Sequence, residues 1–124
     1  MGKKKIEYLT NSYGEWKTKG LEKGGYFVIF NGFKTPFLNK ISGKALKLYI
    51  YFGIHSGNYT GESWHSIETI ADFFGVSIRT IQNWVKELEE LGLIERLQKK
   101  PNSVAYTYLK TYEYNINYDI KDGE

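Results

Sequence analysis

The chain has 124 residues, a hydrophobic fraction of 41% and a formal net charge of +3, which suits a single domain with one small core. It contains no cysteine, which excludes disulfides and thiol chemistry, and it has no apolar run long enough to span a bilayer. We therefore expect a cytoplasmic protein.

Charge is unevenly distributed along the chain. Residues 1–23 hold six lysines against three glutamates, residues 24–110 hold ten cations against seven acids, and residues 111–124 hold one lysine against four acids. This pattern divides the chain into a basic polar N-terminal arm (1–23), a central domain (24–110) and a C-terminal strand or tail (111–124). The basic character lies in the arm and the central domain.

The N-terminal arm has a lysine cluster at residues 3–5 and isolated aromatic residues at Tyr8, Tyr13 and Trp16. Such a segment is either a flexible basic arm that reaches a polyanion such as nucleic acid, or a leader that packs on the domain. Because a lone tryptophan is more often buried, we expect Trp16 to pack against the domain.

Two elements are predicted in the first half of the central domain. Tyr26–Phe30 is a run of aromatic and branched residues after two glycines, which predicts a strand. The stretch from Ser42 to His55 begins with an N-cap residue and keeps an apolar stripe at helical spacing, which predicts a helix. This helix is apolar on more than one side, so we expect the strand to cover it and to join a sheet.

Two short amphipathic helices follow, separated only by Gly75 and Val76. Ser66 is the N-cap of the first, whose apolar residues recur at helical spacing until Gly75, a residue suited to a left-handed C-terminal position. Ser77 begins the second, whose stripe ends at Gly92. A connection this short makes the helices cross steeply, which is the geometry of a helix-turn-helix that enters the major groove of DNA.

A β-hairpin is predicted directly after the second helix. Its strands, residues 93–97 and 104–109, are rich in branched and aromatic residues and enclose a polar turn at 98–103. A hairpin in this position is a wing, with Lys99 and Lys100 at its tip and Arg96 on its first strand. These cations are placed to neutralise DNA phosphates.

The polar side chains of the second helix point away from its apolar stripe. With Ile81, Val85 and Leu88 turned inward, the segment from Ser77 to Lys86 presents hydroxyls, amides and two cations, and it contains no acid. Such groups bond phosphates and base edges, and the start of a recognition helix usually contacts the bases. The candidate DNA-binding residues are Ser77, Arg79, Thr80, Gln82, Asn83, Lys86, Arg96, Lys99 and Lys100.

Residues 42–110 resemble the winged helix-turn-helix domains of plasmid and phage replication initiators, replisome organisers and related bacterial regulators. The likeness rests on Trp64 just before the cap at Ser66, on the run from Ser77 to Gln82, and on the step from Leu91 to Ile94 into the wing. It implies an α+β fold with an N-terminal strand, three helices and a C-terminal wing. It also implies DNA contacts from Ser77, Arg79, Thr80, Gln82 and Asn83, in a transcriptional regulator or a replication-origin-binding protein.

The tail alternates tyrosine or isoleucine with polar residues from 112 to 120, a period of two that predicts an additional C-terminal strand. This strand is compatible with pairing inside the chain, which is the more frequent arrangement, and with pairing to a second subunit in a homodimer. A dimer would also double the DNA contacts of a domain whose basic charge is modest for a DNA-binding protein.

Glu87, Glu89 and Glu90 crowd the far end of the second helix, on a face predicted to be solvated. They keep open a different function, that of a winged helix that binds a basic protein partner without binding DNA. No serine or carboxylate pair stands in a catalytic frame, and no His/Cys cluster has zinc spacing. We therefore expect neither an enzyme nor a metal, cofactor or small-molecule site.

Overall fold

A computed structural model describes residues 2–114. The helices are α1 (Gly2–Lys19), α2 (Gly43–His55), α3 (Ile67–Phe74) and α4 (Ile78–Glu90), with short helical turns at Gly20–Gly24 and Asn31–Lys34. The strands are β1 (Glu62–Ser63), β2 (Ile94–Gln98) and β3 (Ala105–Leu109). This is an α+β winged helix-turn-helix, in which α3 and α4 form the helix pair and β2 and β3 form the wing.

The three helices predicted for the central domain each begin at a serine cap. The Ser42 hydroxyl accepts a hydrogen bond from the Ala45 backbone N–H, and Ser66 and Ser77 do the same three residues ahead, all at 3.1 Å. Gly75, with φ of 68°, ends α3 in the left-handed conformation. Because each cap satisfies an otherwise unpaired donor and contributes about 1 kcal/mol, these bounds could be predicted, and they are confirmed.

Helix α2 lies at the centre of the core, between the other two helices of the domain and the sheet. Its residues Leu48, Tyr49 and Phe52 are at most 2% exposed. α4 contributes Ile81 and Leu88, which are fully buried. In the part of the chain that the structure describes, the buried apolar residues are Phe33, Ala45, Leu48, Tyr49, Tyr51, Phe52, Ile70, Ala71, Ile81, Trp84, Val85, Leu88, Leu93 and Ile94.

The sheet has three antiparallel strands in the order β1-β3-β2. β2 and β3 pair from Ile94 opposite Leu109 to Gln98 opposite Ala105. On the other side of β3, Glu62 lies opposite Tyr108 and Ser63 opposite Thr107. The last strand of the described residues, β3, is therefore the middle strand of the sheet.

The prediction that Tyr26–Phe30 forms a strand is wrong, and the sheet edge that it was expected to join is taken by β1. Side-chain packing holds this segment instead. Phe27 lies against α2 at Gly53, where a Cβ atom would be 2.3 Å from the phenyl ring. The Phe30 backbone N–H donates a hydrogen bond to the Tyr112 hydroxyl at 2.7 Å. Phe27 therefore covers α2, and Phe30 ties the segment to Tyr112.

The N-terminal segment differs from the expectation as well. Residues 2–19 form a helix with no buried residue, and Trp16 is 69% exposed, so the prediction that Trp16 packs into the domain is wrong. Two features of the arm are compatible with this helix. It contains no proline, and its apolar residues recur every three or four positions, which places them on one side of a helix. Within residues 2–114, no helix combines the length and the apolar character needed to cross a bilayer.

The predicted C-terminal strand, residues 112–120, falls mostly outside the described residues, and so does the homodimer predicted through it. The described part, from Tyr112 to Tyr114, is not a strand. Tyr112 and Tyr114 both make edge-on contacts with the Phe30 ring, and Tyr112 also contacts Phe33. These contacts extend the packed part of the domain beyond residue 110.

Candidate nucleic-acid interface

Four of the nine predicted contact residues lie together on the solvent side of α4. Arg79, Gln82, Asn83 and Lys86 are exposed, and we call this surface the α4 outer face. The opposite side of the helix is buried through Ile81, Trp84, Val85 and Leu88. A guanidinium, two amides and an ammonium group are the side chains best suited to bond base edges and phosphates. The helix is therefore anchored by one face and presents hydrogen-bonding groups on the other.

Ser77 and Thr80, which were predicted as DNA contacts, are engaged in starting α4. The Ser77 hydroxyl accepts from the Thr80 N–H and lies 2.9 Å from the Thr80 hydroxyl. Ser77 is exposed and Thr80 is half-buried. Their local role is to fix the residue at which α4 begins and, with it, the positions of Arg79, Gln82 and Asn83.

Arg96 lies at the base of the wing and is half-buried. Its Nη1 donates to the Thr107 hydroxyl on the neighbouring strand at 2.7 Å. Burial lowers the pKa of the guanidinium, and the nearby Glu89 carboxylate opposes this effect. The structure thus places Arg96 away from the two wing lysines, as a brace between β2 and β3.

Lys99 and Lys100 have different surroundings. Lys99 Nζ lies 3.4 Å from a Glu62 carboxylate oxygen and 4.4 Å from the centre of the Tyr106 ring. The hydrogen bond to Glu62 raises the pKa of Lys99. Lys100 is exposed at the start of the wing turn, and no ion pair of Lys100 occurs among residues 2–114. Lys99 has a carboxylate neighbour, whereas Lys100 faces solvent.

The prediction that Glu87 lies on a solvated face is wrong. Its carboxylate accepts hydrogen bonds from the Ser42 backbone N–H at 2.7 Å and from the Ser42 hydroxyl at 2.8 Å. The negative charge thus lies at the start of α2, where the helix dipole favours it. A helical wheel of α4 alone cannot show this contact, because the partner is 45 positions away in the chain. Glu89 and Glu90 are exposed, as expected.

Trp64 is an aromatic residue beside the helix pair, and the family resemblance was the only sequence signal that pointed to it. Trp64 is 65% exposed in the link between β1 and α3, next to the cap at Ser66. Its neighbour His65 shares a hydrogen bond with the Tyr51 hydroxyl, and the His55 ring lies 4.4 Å away. Burial and the charge of His55 lower the pKa of His65. Trp64 thus offers a large exposed surface at the entrance to the helix pair.

Among residues 2–114, no three His, Cys, Asp or Glu side chains converge in a way that could hold a metal ion.

Comparison with known proteins places this geometry in a class. Residues 38–94 match the model of a family described as a helix-turn-helix domain. The match covers α2, α3 and α4 and stops at the first residue of β2. No curated protein and no solved structure gives a significant match. The chain thus carries a helix-turn-helix domain completed by a wing, and such a domain suggests DNA binding.

Proposed function

We propose that this chain binds double-stranded DNA in a sequence-specific way through the α4 outer face, with the wing on neighbouring phosphates. The process we propose is transcriptional control or recognition of a replication origin, in the cytoplasm of a bacterium and for a chromosomal, plasmid or phage target. We propose no catalytic activity. The observation that carries this proposal is the α4 outer face itself, in which Arg79, Gln82, Asn83 and Lys86 are exposed on a helix anchored in the core.

The spacing of these four residues supports base readout. They follow one another at i, i+3, i+4 and i+7, so they form a single patch. Seven residues of helix extend about 10 Å, the length of about three base pairs of DNA. Arginine bonds guanine and asparagine or glutamine bonds adenine through paired hydrogen bonds in the major groove. We therefore propose that Arg79, Gln82 and Asn83 read bases, and that Lys86 contacts phosphate.

Binding of a basic protein partner is less well supported than it was from the sequence. That alternative relied on the three acids at the end of α4. The carboxylate of one of them, Glu87, is hydrogen-bonded to Ser42. Two exposed carboxylates remain there, Glu89 and Glu90. The α4 outer face carries two exposed cations, Arg79 and Lys86, and no acid, so its charge favours a polyanion.

Selection of bound sequences from a pool of random duplex DNA tests the proposal, at near-physiological salt so that nonspecific binding does not dominate. We expect an enriched motif. Replacing Arg79 or Asn83 by alanine should weaken binding to that motif by about 1–3 kcal/mol and relax the preference at one base pair. The exposed residue Glu90, replaced by alanine, is the control and should cause no loss. If both test variants lose as much affinity for random DNA as for the enriched motif, base readout is excluded.

The wing is tested by the salt dependence of the same binding. Replacing Lys100 by alanine should reduce the slope of log affinity against log salt by about 1, because one phosphate contact is removed. Lys99→Ala should reduce the slope less, since Glu62 already lies beside that ammonium group. If the slope of the Lys100 variant equals that of the unmodified protein, the wing tip does not contact phosphate.

A further inference from the structure

The exposed side of α1 carries a regular apolar stripe. Ile6, Leu9, Tyr13 and Trp16 are between 54% and 69% exposed, and no residue of the helix is buried. Their spacing of three, four and three residues is that of the a and d positions of a heptad repeat. Most of the stability of a helix in a protein comes from packing its amphipathic face, and α1 packs no residue within the described part of the chain. From this stripe we infer that α1 pairs with α1 of a second copy as a short parallel coiled coil.

The composition of the stripe favours two parallel strands. Ile6 is at an a position and Leu9 at the following d position, the combination that favours parallel dimers. The stripe is also narrow, since it takes two positions of every seven. A helix that lies on a bilayer usually has a broader apolar face. The pattern therefore suits a matching helix better than a membrane surface.

The lysines beside the stripe select the orientation. In a parallel pair, position g of one helix faces position e of the next heptad in the other. Lys5 then faces Thr10 of the second copy, and Ser12 faces Lys17 of the second copy. In an antiparallel pair, Lys3 would face Lys17 and Lys5 would face Lys19, and both contacts would be repulsive. At these e and g positions, only the parallel arrangement avoids contacts between lysines.

The neutral residues at the e and g positions, Thr10 and Ser12, are small, and the acidic residues of α1 lie far from the stripe. The Thr10 hydroxyl donates to the Ile6 backbone carbonyl at 3.1 Å, and the Ser12 hydroxyl donates to that of Tyr8. Glu7 and Glu15 lie on the opposite side of the helix by its 100° rotation per residue. The proposed interface thus consists of four apolar layers, flanked by lysines that face hydroxyl groups.

This pairing is independent of DNA binding, and it places both domains at the same end of the coiled coil. α1 is followed by a turn that contains Gly20 and Gly24. The proposed coiled coil is short, so the dimer should depend on protein concentration and gain strength when two neighbouring DNA half-sites are occupied.

Because the chain has no cysteine, disulfide trapping tests the contact directly. Under mild oxidation, Leu9→Cys should form a covalent dimer, because parallel helices bring residue 9 of each copy together. Asn11→Cys, on the polar side of α1, is the matched control and should form no covalent dimer. If Leu9→Cys crosslinks only when mixed with Tyr13→Cys, the helices are antiparallel and the parallel assignment is overturned.

Sedimentation of the full chain without DNA provides the second readout. We expect a dimer that dissociates on dilution, and a monomer for Tyr13→Asp. At dilutions where the unmodified protein is also monomeric, the two melting temperatures should be equal. Asn11→Asp is the control and should still dimerise. A dimer that survives in Tyr13→Asp would assign the contact to another surface, such as the C-terminal segment. A monomeric unmodified protein would overturn the proposal, and binding of α1 to anionic vesicles would then identify a lipid surface as the occupant.

Discussion

Helices α1 and α4 are both amphipathic, but among residues 2–114 only α4 has its apolar face covered. Ile81 of α4 is fully buried, whereas Leu9 of α1 is 54% exposed. The connections differ in the same way. α4 follows α3 after three residues, which begin with Gly75 and end with the cap at Ser77, and α1 is joined to the domain by a longer segment that includes Gly20, Gly24 and Gly25. An apolar stripe shows that a face needs a partner, and the connection determines whether that partner is in the same chain.

The largest difference expected between α4 and α1 is in how much a truncation in each helix lowers the free energy of unfolding. Ile81→Ala should lower it by about 2–5 kcal/mol, because it removes a fully buried side chain and leaves a cavity. Leu9→Ala should change it by less than about 0.5 kcal/mol under conditions where the protein is monomeric, because Leu9 has no buried environment to lose. Urea denaturation monitored by tryptophan fluorescence measures both.

A loss of similar size in the two variants would break the comparison, since it would mean that α1 packs on the domain in solution. Leu9→Ala at high protein concentration is a useful addition. There the dimer contributes to stability, and the effect of the substitution should grow with concentration.

A smaller effect is expected at the carboxylate that joins α4 to α2. Glu87→Ala should destabilise the domain by about 1–2 kcal/mol, because two hydrogen bonds to Ser42 are lost. Glu90→Ala removes the same charge from the exposed side of the same helix and should stay within about 0.5 kcal/mol of the unmodified protein. Thermal melts of the two variants make the measurement. Equal melting temperatures would show that the contact with Ser42 does not stabilise the fold.

Local patterns were sufficient to predict α2, α3, α4 and the wing. Serine caps at 42, 66 and 77 and the glycine at 75 act within a few residues of where they stand, so the sequence alone marks these bounds. The amphipathic stripe of α4 likewise indicated which side chains face solvent. Candidate residues on the α4 outer face could therefore be chosen without coordinates.

Features that depend on distant residues could not be predicted in this way. Strand β1 has only two residues, too few for a period of two to be visible, and it pairs with residues more than 40 positions away. The apolar run at 26–30 has the composition of a strand, but packing on α2 decides its conformation. Glu87 and Lys99 show the same limit, because each is paired with a residue that local spacing does not indicate.

The position of β3 in the middle of the sheet has a consequence for the order of folding. Helices α2, α3 and α4 all precede β2 and β3 in the chain, so their mutual contacts can form before the wing is complete. Both edge strands are synthesised before the strand that pairs with them. On the ribosome, the recognition helix can therefore reach its packed position early, while β1 and β2 stay without a pairing partner until residue 109 has emerged.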